Sequence, residues 1–364
     1  PSLVGSEMCI RDRKWIVRKG FILNMFTKVE HQSNGFDLIK INNDETTIVF
    51  TNYVARIVSW KYNDNNIVLG NVVEADEFYL DNPFNFGATI GRYGGRIADA
   101  TFELEGQTYQ LEANDDPHHI HGGSNGLDTT FFDYEIVEQV NQTKIIFTTE
   151  LTEAQDGYPG DIRIQVTHTY DINYCWTVEY EATSTKTTLF NPMNHVYFNL
   201  NRDNNVVDNH VLSSEELKLY PLNKQHLVDT EEPIDLVEML GKDKIALAEL
   251  FQSDAPQLAE QMAQCGGLDH PIEVSQGQLQ LCNDQFVLDV ETDMPYVVIF
   301  TFNDPSSWDS DFNIYKAHSG VTLETQCMPN DINRYGEDAC SVLEPHQPFY
   351  SKTTYKISVK NEDE

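Results

Sequence analysis

The chain has 364 residues, enough for one large β or α/β domain or for two smaller ones. Its 40% apolar and 11% aromatic content is that of a globular protein, and no stretch approaches the ~20 consecutive apolar residues that a membrane span needs. With 24 basic against 58 acidic side chains the net charge is −34, a field that repels a phosphate backbone and argues against nucleic acid as a partner. The plainest reading of that charge is a soluble, self-repelling surface.

The chain opens on "PSLVGSEMCIRDRK", a locally basic segment that starts with proline and does not join the pattern that follows. It reads as a non-native or disordered extension over residues 1–24, with the native start near Met25 and a single β-sandwich domain over 25–364. No apolar segment followed by a small-residue cleavage site is evident. "GRYGGR" at 91–96 is glycine-rich, but it lacks phosphate-loop spacing and leads into the strand-like "TFELEG" instead of a helix. "DDPHHIHGGSNG" at 115–126 places His118, His119 and His121 within four positions. Neighbouring histidines on an extended segment point to opposite faces, no HExxH or EF-hand spacing exists, and no metal is expected.

Period-2 alternation then recurs. In "IRIQVTHTY", Ile162, Ile164 and Val166 share one face, and in "WTVEYEAT" Trp176, Val178, Tyr180 and Ala182 do the same. "TYKISVK" repeats the pattern with Tyr355, Ile357 and Val359. Each predicts a half-buried antiparallel strand, and "NDNN", "DGYPGD" and "NRDNN" supply turns. Helical spacing is confined mostly to 232–265, as short helices on a β body. Many short strands with regular turns predict an all-β fold, one large antiparallel sandwich. Cys9, Cys175, Cys265, Cys282, Cys327 and Cys340 are scattered without a CxxC pair, and read as reduced thiols of a cytoplasmic protein.

Three residues stand out as candidates for chemistry. His121 lies in "HIHGG", His195 in "NPMNHVYFNLN", and Glu324 in the otherwise uncharged "GVTLETQCMPN". Alone, each has a bland alternative: a turn residue, a satisfied core histidine, an exposed strand position.

Taken together and in order, these segments resemble the aldose 1-epimerase (galactose mutarotase) family. "GATIGRYGGRIADATFELEGQTYQL" is similar to its GR-x-x-x-RI block, "HIHGG" to its HGG loop, "DGYPGD" to its turn and "NPMNHVYFNL" to its TNHxYFNL strand. "GGLDHPI", "LETQCMPNDIN" and the closing "PHQPFYSKTTYKISV" continue the likeness over about residues 30–360. The resemblance implies a large antiparallel β-sandwich of the galactose mutarotase type. It also implies His195 as general acid/base near the ring oxygen, Glu324 as base for the anomeric hydroxyl, and His121, Arg96 and Asp269 as holders of sugar hydroxyls. Gly95 stands where many members have asparagine, and "GLDTTFF" lacks the usual aromatic after the HGG loop, for which Phe131 or Phe132 is the expected substitute.

A carboxylate and an imidazole suit ring opening and reclosure, because both can be tuned to give and take a proton near neutral pH. The reaction needs no cofactor. The expected partner is a small-molecule aldose such as galactose, glucose or maltose, acted on by a monomer or homodimer. Hexose-6-phosphate epimerisation, a non-catalytic carbohydrate-binding sandwich, and a two-carboxylate glycoside hydrolase built on Asp269 and Glu324 are the rival readings.

Overall fold

The computed structural model describes residues 25–202 and 206–360, with the backbone of two short paired strands at Ile16–Arg18 and Phe21–Leu23. The expectation for residues 1–24 otherwise lies outside the described residues, as does most of the predicted turn at 201–205. Three antiparallel sheets make the body. A nine-stranded sheet runs in the order Asp133–Glu138, Gln142–Leu151, Ile162–Asp171, Cys175–Ser184, Phe349–Val359, Phe286–Thr292, Gln278–Cys282, Val211–Ser213 and Lys244–Ala246. One five-stranded sheet comes from the first part of the chain, between Met25–His31 and Asn65–Asn66. The other orders Ile234–Asp235, Leu217–Leu219, Asp269–Val274, Tyr296–Phe300 and Glu324–Gln326.

The alternation read from the sequence is what holds these layers together. Ile164, Val166 and Val178 of the large sheet, Ile41 and Phe50 of the first, and Leu219 and Ile272 of the second lie in one apolar cluster. Their polar neighbours along each strand face the other way. Val359 departs from the pattern: it is 46% exposed at the frayed end of its strand, where Phe286 is its last ladder partner. The core is strongly aromatic, and several of its polar tips are answered internally. Trp176 stacks on Tyr355 at 4.7 Å and donates to His168 Nδ1, while Trp60 donates to the Tyr170 hydroxyl.

The helices predicted in 232–265 are present as Leu236–Leu240, Leu247–Phe251 and Pro256–Cys265. Asp235 caps the first by accepting from the Glu238 amide, and Pro256 opens the third, where its missing N–H costs nothing. A further helix, Ala75–Asp81, lies outside that stretch. Among the described residues no helix is long and apolar enough to cross a membrane.

The expectation of reduced thiols throughout is corrected. Cys327 and Cys340 form a disulfide, while Cys175, Cys265 and Cys282 are free. Their 13-residue separation gives no local signal; a short helix between them, Asp331–Tyr335, brings their Cα atoms to 5.8 Å.

Arg92 and Asp156 form an ion pair whose side chains are wholly buried, with Nε and Nη2 on the two carboxylate oxygens at 2.7 and 3.0 Å. Arg92 Nη1 also donates to the carbonyls of Pro159 and Gly160. "GRYGGR" and "DGYPGD" are thereby one unit. Asp156→Asn leaves a buried guanidinium without its counter-charge and is expected to cost ~3–5 kcal/mol. Urea denaturation of the variant checks this, and a loss below about 1 kcal/mol would contradict it.

Candidate functional site

Where the ends of several strands converge, a cavity of about 580 Å³ opens, a size that suits a small ligand. It gathers all five residues singled out in the sequence: Arg96, His121, His195, Asp269 and Glu324.

His195 ends the strand Met193–His195, which pairs with Ala88–Ile90, and its carbonyl accepts from the Gly87 amide. Just beyond it Tyr197 pairs with Thr322 in an antiparallel ladder. Stepping two residues back from Tyr197 and two forward from Thr322 brings His195 opposite Glu324 on the same face. Their side chains meet there, with Nε2 3.3 Å from Oε1. Thr322 Oγ1 donates to Glu324 Oε1 at 2.9 Å and Gln326 Nε2 to Oε2 at 3.3 Å. Gln326 is held in turn by Asn191, whose amide also takes the Gly94 carbonyl and whose oxygen accepts from the Cys327 amide.

Both members of the pair are almost fully buried, and burial dominates their ionisation. It lifts the Glu324 carboxyl to about 8, against the hydrogen bonds from Thr322 and Gln326 that favour its charge. It lowers the His195 imidazole to about 4. Between those values the pair holds one proton more than its fully deprotonated form. That proton can sit on the carboxyl or, once a polar ligand supports the charges, on the ring.

His121 stands beside them, its ring 5.4 Å from that of His195 and perpendicular to it. Burial, then the neighbouring His195 and Arg96, hold it well below the usual imidazole range. Its Nδ1 accepts from the Gly95 amide at 3.2 Å, so the neutral ring carries its proton on Nε2 as a donor. His121 itself takes φ +55°, and Gly122 follows at φ +87°, where an added Cβ would lie 2.1 Å from the Gly91 carbonyl oxygen. Gly95, at φ +78°, packs so that a Cβ would meet Pro329 at 2.8 Å. The absence of a side chain there is a steric requirement of this chain.

Arg96 sits on a short strand whose partner includes Ile120. It is ion-paired through Nε with Asp115 at 2.6 Å and lies 3.7 Å from Asp269, which His226 also approaches at 3.7 Å. His118 and His119 do not enter the cavity lining. His119 is buried between the Glu112 carbonyl and the Tyr158 hydroxyl, and His118 Nδ1 accepts from the Asp99 amide. The three adjacent histidines therefore have separate tasks.

The expected aromatic substitutes are corrected. Phe132 is buried in the main core and Phe131 packs outward on Phe36 and Tyr53, because the two alternate along an extended segment. The aromatic walls of the cavity come instead from Phe84, Tyr197 and Phe300. Asp115, Asp128 and His226, isolated polar residues outside the strands, and Gln326, at the end of the strand Glu324–Gln326, also line it and were missed, since a single polar residue carries no periodic signal.

A family profile described as aldose 1-epimerase matches residues 37–356. The galactose mutarotase of Sus scrofa is 29% identical over 308 residues, covering 81% of this chain and 84% of its own. The maltose epimerase of Levilactobacillus brevis is 28% identical over 294 residues, covering 78% and 82%. Among solved structures, a galactose 1-epimerase from Lactobacillus acidophilus NCFM superposes with a TM-score of 0.81 at 23% identity, over 93% of this chain and 100% of that one.

The raised carboxyl has a consequence for stability. Its folded value of about 8 exceeds the ordinary 4.5, so its contribution is full below 4.5 and is lost as pH rises to about 8. His195, at about 4 when folded against 6.5 unfolded, is present in both wild type and Glu324→Gln, so its titration cancels in the comparison. Between pH 6.5 and 8 the native protein should lose stability relative to Glu324→Gln, by on the order of 1–2 kcal/mol. Parallel thermal melts across that window check it; a gap that stays constant would refute the buried protonated carboxyl.

Proposed function

The chain belongs to the aldose 1-epimerase family, and on that footing we propose that His195 and Glu324 are the two proton-transfer groups of its reaction. The protein is an isomerase that interconverts the α and β anomers of an aldose. In the assigned roles, Glu324 as carboxylate removes the proton from the C1 hydroxyl while His195, protonated, delivers one to the ring oxygen. The C1–ring-oxygen bond breaks and the open-chain aldehyde forms. Rotation about C1–C2 presents the other carbonyl face, and the same transfers run backwards close the ring. Each group starts and ends the cycle in the same protonation state, so no redox partner or activated donor enters.

The observation that carries this reading is the opposed, buried pair at 3.3 Å, where burial raises the carboxyl to about 8 and lowers the imidazole to about 4. Sharing of the proton matters, because a buried carboxyl near 8 stays mostly protonated at neutral pH and cannot act as a base until the sugar's hydroxyls and the ring cation stabilise its charge. Arg96, Asp269 and the Nε2–H of His121 supply the hydrogen bonds that orient the sugar's other hydroxyls. Phe84, Tyr197 and Phe300 offer apolar surface for the C–H face of a pyranose.

The substrate class we assign is a free, uncharged aldose. Asp115, Asp128, Asp269 and Glu324 line the cavity against a single arginine, Arg96, already engaged by Asp115. A sugar phosphate would bring a dianion among carboxylates. Maltose epimerase among the relatives makes a disaccharide a second natural candidate beside galactose.

Glu324→Gln and His195→Asn should each lower kcat by ~10²–10⁴-fold while sugar binding survives, measured by anomer-exchange NMR and calorimetric titration. Near wild-type exchange in either variant sinks its assignment. The kcat/KM profile of the unsubstituted enzyme should be a bell, falling below about pH 4 as the pair gains a second proton and above about 8 as it loses its last. His121→Ala should act differently, chiefly raising KM; a collapsed kcat at unchanged KM contradicts a binding role.

A further inference from the structure

Behind Glu324 runs a short relay of side-chain amides that the proton transfers themselves leave unused. Glu324 Oε2 accepts from Gln326 Nε2 at 3.3 Å, and Gln326 Oε1 accepts from Asn191 Nδ2 at 3.2 Å. Asn191 is fixed by main chain on both sides. Its Oδ1 accepts from the Cys327 amide at 2.8 Å. Its Nδ2 also meets the Gly94 carbonyl at 3.2 Å and the Cys327 carbonyl at 3.4 Å. Both amide side chains are 0% exposed, so water does not substitute for any of these partners. Gly94 leaves them their room: a Cβ there would lie 2.9 Å from Gln326 Oε1 and 2.7 Å from Met193 Cγ.

The relay has a direction. An amide side chain carries a donor end and an acceptor end, whereas a backbone N–H only donates and a backbone carbonyl only accepts. Asn191 therefore has one orientation that satisfies it, with its oxygen on the Cys327 amide and its nitrogen on the two carbonyls. That orientation points an N–H at Gln326, which answers with its oxygen and has only its NH2 left for Glu324. Main-chain polarity at Gly94 and Cys327 is thus carried through two side chains to the carboxyl group.

We propose that Asn191 is a positioning residue for the proton transfer: it locks Gln326 with its N–H towards Glu324, so that the relay supports the carboxylate and not the carboxylic acid. The proposal rests on the reading of Glu324 as the base. Turned round, Gln326 would present Oε1, an acceptor that only a protonated carboxyl can satisfy. The relay opposes the burial that lifts Glu324 to about 8, and Thr322 acts in the same sense on Oε1. The other titratable groups around Glu324 are His195, His121, Asp269, Tyr197 and Tyr355. Burial keeps both histidines and both tyrosines neutral, and the Asp269 charge pushes the carboxyl up as burial does. All five remain when Gln326 or Asn191 is changed.

The experiment records kcat and kcat/KM against pH by anomer-exchange NMR for the unsubstituted enzyme, Gln326→Met, Asn191→Ala and the double variant. Methionine keeps the length of glutamine without its polar end and leaves Asn191 its main-chain partners. In Gln326→Met the alkaline limb of kcat/KM, near pH 8, should move up by about one unit, a ten-fold change in proton affinity. Its kcat at neutral pH should fall about ten-fold, since the carboxylate is that much harder to form. Asn191→Ala should shift the limb the same way, and the double variant no further than Gln326→Met, because Asn191 acts through Gln326. A site that had merely loosened would admit water, relieve the burial and move the limb down. A limb that falls or stays in Gln326→Met overturns the proposal, as does a further rise in the double variant. Should Asn191→Ala not fold, Asn191→Asp keeps an acceptor for the Cys327 amide without the N–H; it too should raise the limb, and an unmoved limb overturns the proposal. A limb missing from the unsubstituted enzyme overturns the pair assignment and the relay together, whereas a limb present there but unmoved in the variants overturns the relay alone.

Discussion

The guanidinium of Arg92 sits where water cannot reach it, and so every donor it carries must find an acceptor supplied by the chain. Asp156 takes two of them and the Pro159 and Gly160 carbonyls another, which fastens the turn at 156–161 to the glycine-rich segment at 91–96. That fastening fixes what lies on either side. Tyr158 reaches the His119 ring, Tyr93 donates to Asp331, and Gly95 presents its amide to His121. The pair's net contribution to stability is modest, because desolvation offsets attraction, but neither partner can leave alone. Its value is positional: the segment that carries Gly95 and Arg96 into the cavity lining is held to the turn at 156–161.

At the cavity a different economy operates. The sandwich buries Glu324 and His195 opposite each other on adjoining strands, and burial opposes the charge that each would carry in its proposed role. Hydrogen bonds from Thr322 and Gln326 moderate the cost to the carboxylate without abolishing it. What results is a pair in which neither ion is favoured by itself, and moving the proton from carboxyl to ring is uphill until a polar ligand supports both charges. Strand register, set by apolar packing remote from the site, is what makes the two meet. The proposed chemistry would inherit its geometry from the sheet.

Much of this was legible in the chain. Trp176, Val178, Tyr180 and Ala182 announced a strand because a half-buried sheet demands period 2, and the structure buries those four. His195, Glu324, His121, Arg96 and Asp269 could be picked out because motif order carries information that a single residue lacks, and the fold brings them to one cavity. What stayed hidden depends on contacts between distant segments. Asn191 and Gln326 are neutral side chains whose importance lies in which partners they reach 135 residues apart. The disulfide joins cysteines with no local spacing signal, and the exchange of Phe131 and Phe132 for Phe84, Tyr197 and Phe300 is a matter of which face each residue presents.

The covalent link between Cys327 and Cys340 begins one residue after Gln326, the last residue of the strand that bears Glu324. Inside the ring it closes, Asn330 accepts from the Ala98 amide and Asp331 from the Ser341 amide and hydroxyl. A native protein normally breathes by local opening of its least anchored segments, long before it unfolds globally. Here the segment next to the carboxylate cannot fray from a loose end, because both its ends are tied to each other and its middle is tied to the neighbouring loop. Exchange of the amides at 328–331 with solvent is then expected to need the opening of a larger unit than that loop alone.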